Sequence, residues 1–126
     1  MAQALNVAIV GYGMAGKILH APLAAATDGL NIHTVVSSDA GKVHADFPKA
    51  RVTPSLDEAR GDPAIDLVVV ATPDQLHAVQ GIAALEAGKN VVVDKPFAVT
   101  LDDARAIVAA SERSGKILSV FHNRRW

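Results

Sequence analysis

Short apolar runs alternate with helix-like segments along the whole chain. The clearest run, at residues 65–71, is nearly continuous, which is typical of a strand buried on both faces of a sheet. Six strands separated by helices indicate right-handed crossover connections and a parallel sheet. The other five predicted strands lie at residues 6–10, 31–37, 51–53, 90–93 and 117–121.

The segments between the strands have the periodicity or the end signals of helices. Pro22 lies inside the first of them and predicts a kink or a break there. Ser55 and Glu58 have the spacing of a capping box, in which Glu58 reaches back to the helix start. The predicted helices cover residues 14–26, 39–47, a short stretch after Ser55, 74–87 and the stretch from Thr100 to Gly115. In segment 74–87 one apolar stripe is formed by Leu76, Val79, Ile82 and Ala83.

A glycine-rich sequence follows the first predicted strand directly and opens the first helix. Strand, G-x-G-x-x-G and helix in this order are the fingerprint of a backbone that approaches a dinucleotide pyrophosphate. The first glycine allows the tight turn, the second leaves room for phosphates, and the third lets the helix pack on the sheet. A tight turn that holds no ligand is the alternative. We predict cofactor contacts from the whole turn: Gly11, Tyr12, Gly13, Met14, Ala15 and Gly16.

Six strands with this fingerprint fit one fold class, the α/β doubly wound parallel Rossmann sheet with strand order 3-2-1-4-5-6. Ligands of such sheets bind beyond the carboxyl ends of the strands. The residues just after each strand are therefore the candidates for function.

Composition narrows the class of protein further. The 126 residues make one domain of ordinary size, and half of them are apolar. The net charge is −1 with interspersed signs, which argues against a nucleic-acid partner. Cysteine is absent, which excludes a disulfide framework and thiolate metal ligands, and we predict no metal site. No signal-peptide pattern or membrane-length apolar run is present, so we expect a cytoplasmic protein without a membrane partner.

The residues after the second strand bear on cofactor choice. Domains that prefer NAD carry an acid about 20 residues past the glycines, which accepts hydrogen bonds from the ribose. Here Ser37 and Ser38 end the strand, and the acid arrives late, at Asp39. Small hydroxyl groups together with Lys42 suit a 2′-phosphate, so we predict cofactor contacts from Ser37, Ser38 and Lys42 and a preference for NADP. NAD is the alternative, if Asp39 folds back onto the ribose.

Other strand ends carry further candidates. After the fourth strand, Thr72 and Pro73 are predicted to lie against the cofactor, with His77 at the pocket rim. A partly buried helix histidine is the equally weighted alternative for His77. In the first helix, Lys17 is placed to reach a phosphate or to be solvated, and His20 is expected to pack rather than to catalyse.

A lysine stands at the carboxyl end of the apolar fifth strand, within Asp94-Lys95-Pro96. Lysine is rarely buried without a task, and burial of Lys95 would favour a neutral amine that exchanges a proton with a substrate hydroxyl. A cis bond before Pro96 would aim the lysine inward. The alternative is a solvated lysine paired with Asp94.

The chain ends in polar residues after the sixth strand. We predict that Asn123 and Arg124 reach the cofactor, with His122, Arg125 and Trp126 beside them; a frayed terminus is the alternative.

Four stretches together give a specific resemblance: GYGMAG, ATPDQLH, AALEAGKNVVVDKPF and SVFHNRRW. They resemble the N-terminal dinucleotide-binding domain of the Gfo/Idh/MocA oxidoreductases, and most of all the branch of NADP-linked scyllo-inositol dehydrogenases. The resemblance implies that Lys95 is catalytic, as the lysine of the family's E-K-P motif. It also implies cofactor contacts from Asp94, which replaces the glutamate, and from Lys95. Ser37 stands where members that prefer NAD carry an acid.

The resemblance further implies a function. The whole protein would transfer hydride between NADP(H) and a secondary alcohol or ketone of a sugar or cyclitol. Members carry a second α/β domain that supplies most of the substrate pocket, whereas residues 1–126 correspond to the NAD(P)-binding domain alone. We therefore expect cofactor binding with little turnover from this chain, and self-association into a homo-oligomer through uncovered apolar side chains. The alternatives are a non-enzymatic NADP(H) sensor or docking module, and an inert scaffold.

Overall fold

The computed structural model describes residues 3–124, and these form a six-stranded sheet with helices on both faces. The strand order is β3-β2-β1-β4-β5-β6 and every neighbouring pair is parallel. This confirms the predicted doubly wound order. The strands are β1 (Leu5–Val10), β2 (Leu30–Val36), β3 (Arg51–Thr53), β4 (Leu67–Val70), β5 (Asn90–Asp94) and β6 (Leu118–Phe121).

Two apolar cores lie on opposite faces of the sheet. Val7 and Ile9 of β1 enter one core, and Ala8 and Val10 enter the other, because successive strand side chains alternate. The first core is covered by α1 (Ala21–Ala26) and α2 (Ala40–Asp46). The second is covered by α3 (Leu56–Arg60), α4 (His77–Glu86) and α5 (Leu101–Ser114). Among the described residues, no helix has the length and apolar character needed to cross a membrane.

The segment before α1 is a π-helix, Ala15–His20, and not the α-helix that the sequence predicts. It runs into α1 without a gap, and Pro22 lies in the first turn of α1, where proline is well tolerated. The wider turn buries Gly16 and His20 together. The predicted break at Pro22 is therefore wrong, and the irregular geometry comes earlier.

The buried face of α4 also differs from the predicted apolar stripe. Val79 is 69% exposed and Leu76 is 39% exposed. The helix meets the sheet through Gly81, where an added Cβ would lie 3.7 Å from Val93 and 3.8 Å from Ile107. Small size at Gly81 therefore helps to select this face, together with the buried Leu85 and the predicted Ile82, which packs against the same core. The residues that the helix buries are His77, Gly81, Ala84 and Leu85.

The predicted capping box at α3 forms only in part. The Ser55 hydroxyl accepts a hydrogen bond from the Asp57 N–H at 3.0 Å, so Ser55 does cap the helix. Glu58 does not reach back to Ser55. Its carboxylate instead accepts a 2.6 Å hydrogen bond from the Thr53 hydroxyl at the end of β3.

Candidate functional site

The glycine turn after β1 is fixed by backbone contacts on both sides. Gly11 has a φ of +96°, a conformation that L side chains rarely adopt, and its N–H donates to the Val36 carbonyl at 3.0 Å. A Cβ at Gly11 would lie 2.8 Å from the Ala71 carbonyl oxygen. The turn therefore packs between the ends of β2 and β4 and requires glycine at this position.

Gly13 and Gly16 differ in what surrounds them. A Cβ at Gly16 would lie 2.0 Å from the Gly11 carbonyl oxygen, so this glycine allows the helix to approach the turn. A Cβ at Gly13 would meet no protein atom within 4 Å, and the residue is exposed. The backbone at Gly13 thus presents an open surface, which fits the close approach of a pyrophosphate.

Two clefts open at the carboxyl edge of the sheet, one on each side of this turn. The Ser37 cleft, of about 400 Å³, is lined by Val10, Gly11, Tyr12, Gly13, Val36, Ser37, Ser38, Asp39, Lys42, Pro54, Thr72 and Gln80. The Lys95 cleft, of about 630 Å³, is lined by Met14, Leu19, Lys95, His122, Asn123 and Arg124. Gly13 lines the Ser37 cleft, and Met14, the next residue, lines the Lys95 cleft. The two clefts therefore adjoin at the turn.

Polar groups in the Ser37 cleft are arranged around the start of α2. The Asp39 carboxylate accepts the Lys42 N–H at 3.0 Å and caps the helix. The Ser37 hydroxyl accepts the Asp39 N–H at 3.1 Å. The Lys42 amine lies 6.0 Å from the centre of the Tyr12 ring. One carboxylate oxygen is thus committed to the backbone, while the Lys42 amine lies over the floor of the cleft.

Tyr12 forms that floor and is only 4% exposed. Its hydroxyl donates a 2.7 Å hydrogen bond to Asp46, which also lies 3.7 Å from the Lys17 amine. Burial, and then the hydrogen bond and negative charge of Asp46, raise the pKa of Tyr12 to about 12. Lys17 is thereby engaged with Asp46 and does not line either cleft.

Raising the pH should ionise Tyr12 with a midpoint near 12, above the ordinary value of about 10. Because the folded state favours the neutral phenol, the free energy of unfolding should fall as the pH rises from about 10 to about 12. Tyr12 is the chain's one tyrosine, so ultraviolet absorbance of tyrosinate reports it alone. In Asp46→Asn the midpoint should fall, and in the denatured chain it should lie near 10. A folded wild-type midpoint near 10 would contradict this assignment.

Lys95 lies at the lip of its cleft and is exposed, so the predicted burial is wrong for this chain. β5 ends at Asp94, which places Lys95 beyond the sheet, and the Lys95–Pro96 bond is cis. The alternative pairing with Asp94 is not found either, because the Asp94 carboxylate faces His20 at 3.3 Å. The amine of Lys95 is thus accessible from the cleft.

Five predicted cofactor residues line neither cleft. Asp94 is 8% exposed and His77 is 1% exposed, and each contacts other protein groups behind the surface. Gly16 is buried under Gly11, Ala15 is half-buried in the π-helix, and Pro73 is exposed outside both clefts. The structure therefore brings together the turn, Ser37, Ser38, Lys42 and Thr72 in one cleft, and Met14, Lys95, Asn123 and Arg124 in the other.

Gln80 and Leu19 are among the cleft-lining residues that sequence reasoning missed. Gln80 lies one turn into α4 and accepts a hydrogen bond from the Thr72 hydroxyl, which places its amide in the Ser37 cleft. Leu19 of the π-helix lines the Lys95 cleft. The only sequence signal for Gln80 is a polar residue eight positions after Thr72, which is weak evidence of a site residue. Leu19 gives no such signal, because its position in the cleft depends on the π-helical geometry.

Comparison with known proteins gives consistent matches over the whole chain. A family model described as an oxidoreductase family with an NAD-binding Rossmann fold matches residues 5–122. The uncharacterized oxidoreductase YdgJ of Escherichia coli is 49% identical over 100% of this chain and 36% of its own length. The scyllo-inositol 2-dehydrogenase (NADP(+)) IolW of Bacillus subtilis is 41% identical over 97% of this chain and 34% of its own length.

A solved structure gives the same match in three dimensions. GenD2 from gentamicin A biosynthesis, crystallised in complex with NAD, superposes with a TM-score of 0.87 at 36% identity. The match covers 95% of this chain and 35% of GenD2. The chain therefore spans about a third of the length of the relatives that it matches.

Proposed function

Because the chain belongs to the Gfo/Idh/MocA family of oxidoreductases, we propose that residues 1–126 bind NADP(H) for hydride transfer to or from a sugar or cyclitol. The family assignment makes it an NAD-binding Rossmann domain of an oxidoreductase. The choice of NADP and the substrate class are the proposed part. So is any activity of a whole protein, since the chain covers about a third of its relatives.

One observation carries the proposal: two clefts of different chemistry meet at the glycine turn. The Ser37 cleft has hydroxyl groups, a carboxylate and a lysine amine, and the Lys95 cleft has an accessible lysine amine beside two apolar side chains. A dinucleotide has a phosphate-bearing centre with a different group at each end. Lying across Gly13, it would place its adenosine half in the first cleft and its nicotinamide half in the second.

The Ser37 cleft supports NADP over NAD. A ribose 2′-hydroxyl is bound by a carboxylate that faces it, but one oxygen of the Asp39 carboxylate is committed to the cap of α2, which leaves only the other to accept. A 2′-phosphate needs positive charge and donors, which Lys42 and the hydroxyl of Ser38 offer. The name of the relative IolW specifies NADP(+), which agrees with this choice, while GenD2 was crystallised with NAD.

Titration of the chain with NADPH and with NADH tests the cofactor choice. We expect NADPH to bind at least about tenfold more tightly, equivalent to ~1.4 kcal/mol from contacts to the extra phosphate. Lys42→Ala should remove most of that difference by weakening NADPH binding and leaving NADH binding unchanged. Lys116→Ala, an exposed lysine outside both clefts, is the matched control. Tighter binding of NADH to the unaltered chain would overturn the NADP proposal.

The chemistry of the Lys95 cleft supports an alcohol or ketone substrate. The bound nicotinamide supplies or accepts the hydride. The Lys95 amine donates a hydrogen bond to the substrate oxygen, stabilises its developing negative charge and transfers a proton at Nζ. Asn123 and Arg124 add polar groups to the same cleft and suit a substrate with several hydroxyl groups.

This cleft also favours an enzyme over the alternative of a nucleotide sensor. A sensor requires the Ser37 cleft and the turn, but it has no use for an accessible amine opposite them. The Lys95 cleft is nevertheless open to solvent in the described part of the chain. We therefore propose that residues 1–126 alone bind the cofactor with little turnover, because efficient transfer needs an enclosed and oriented substrate.

A further inference from the structure

The tripeptide Asp94-Lys95-Pro96 combines an exposed side chain with two fixed neighbours. Lys95 itself is exposed. Asp94 before it and the carbonyl group of Pro96 after it both contact buried histidines, His20 and His77. These two histidines come from different helical segments, and the groups that they contact lie on opposite sides of Lys95 in sequence.

His77 joins the segment after β5 to the segment after β4. Its Nδ1 lies 2.8 Å from the Pro96 carbonyl oxygen, and its Nε2 lies 2.9 Å from the Thr72 carbonyl oxygen. A carbonyl oxygen only accepts, so the ring donates a hydrogen bond through whichever nitrogen carries the proton, and it contacts the other carbonyl through its second nitrogen. The ring is 1% exposed, so water does not compete for either position.

His20 joins the π-helix to the end of β5. Its Nε2 lies 3.3 Å from Asp94 Oδ1 without forming a hydrogen bond, and neither atom has a hydrogen-bond partner elsewhere among residues 3–124. Both residues are more than nine-tenths buried, and the His20 ring packs on Phe121 of β6 at 4.4 Å between centroids. A buried carboxylate without a partner is costly, so Asp94 is held where His20 faces it.

We propose that His20 and His77 are positioning residues for Lys95, which hold the backbone on either side of it. This inference rests on the proposed function, because it assigns the two contacts to the alignment of Lys95 with the bound cofactor. Asp94 and Pro96 then fix the position of the Lys95 backbone, while the Lys95 side chain stays free to contact the substrate. His77 also couples this position to Thr72, and so links the two clefts.

Lysine NMR on the 126-residue chain tests the inference without turnover. Reductive methylation with ¹³C-formaldehyde labels each amine and keeps its charge, and the Lys95 signal is identified by its loss in Lys95→Arg. Addition of NADP⁺ should shift the signals of both Lys42 and Lys95 in the unaltered chain. In His77→Gln and in His20→Leu, the Lys95 shift should be lost while the Lys42 shift is kept.

A conservative variant and a matched control sharpen the result. His20→Gln keeps an N–H donor for Asp94 and should restore the Lys95 shift that His20→Leu loses. His33→Gln changes a histidine that contacts Thr34 in β2 and should leave both shifts unchanged.

The outcomes separate the inference from the proposed function. If neither lysine signal responds to NADP⁺ in the unaltered chain, the proposed function fails. If Lys42 responds and Lys95 responds equally in every variant, only the positioning role fails. If His20→Leu and His77→Gln do not fold while His33→Gln does, the two histidines serve the fold, and the inference is likewise overturned.

Discussion

Gly16→Ala is expected to destabilise the domain by at least about 3 kcal/mol, at the upper end of the usual range for overpacking. The new Cβ would lie 2.0 Å from the Gly11 carbonyl oxygen, far inside any normal contact distance. The position of the Cβ is fixed by the backbone of residue 16 and the oxygen is itself a backbone atom, so no side-chain rotation can relieve the overlap. Either the π-helix or the turn must move, and both are packed against β1. Chemical denaturation followed by circular dichroism measures the loss.

Gly41→Ala is the matched control for this change. Gly41 lies in α2, and its nearest contact for an added Cβ is the flexible Asp39 carboxylate at 3.6 Å. Alanine is favoured over glycine inside a helix by about 0.5–1 kcal/mol, so the same substitution should stabilise the domain here. An equal small effect at both positions would mean that the close approach of Gly16 to Gly11 is not a feature of the folded chain.

Gly13→Ala is expected to leave stability within about 0.5 kcal/mol of the unaltered chain, as is usual for surface substitutions. Cofactor binding should nevertheless weaken by about 10- to 100-fold, since overlap with a bound group costs roughly 1–3 kcal/mol. The added methyl group meets no protein atom within 4 Å, so its only collision would be with a ligand lying on the turn. NADPH fluorescence titration gives the affinity, and denaturation gives the stability.

Gly16→Ala is expected to change stability and Gly13→Ala to change cofactor binding, so the two variants separate folding from binding. Gly41→Ala should bind NADPH as the unaltered chain does, which controls for the substitution itself. Unchanged affinity in a folded Gly13→Ala chain would place the pyrophosphate elsewhere and remove the basis for joining the two clefts at the turn.

The strands followed from the sequence because their causes are local, and their order followed from the fold class that the glycine fingerprint indicates. Runs such as residues 67–70 are apolar on both faces, and parallel strands need helical crossovers. The π-helix did not follow, since it depends on Gly16 packing under Gly11, a contact between backbone atoms that no periodicity records. The prediction of the buried face of α4 was wrong for a related reason, because Gly81 packs closely through its small size, which an apolar stripe does not reveal.

The site followed from the sequence where topology alone decides it. Ser37, Lys42 and Thr72 lie together because the carboxyl ends of β2 and β4 meet at one edge. Asp94 is the last residue of β5 and His77 is the first residue of α4, yet their side chains turn inward to protein partners. The direction of a side chain at the end of a strand or the start of a helix depends on local dihedral angles, which residue type does not specify.

The central place of β1 has a consequence for synthesis of the chain on the ribosome. β1 pairs with β2 on one edge and with β4 on the other, and β4 is not complete until residue 70. A nascent chain that has released only the first three strands carries an unpaired apolar edge along β1, a template for faulty association. Molecular chaperones should therefore engage the nascent chain most strongly after β3 has emerged, at residue 53, and before β4 is complete, at residue 70.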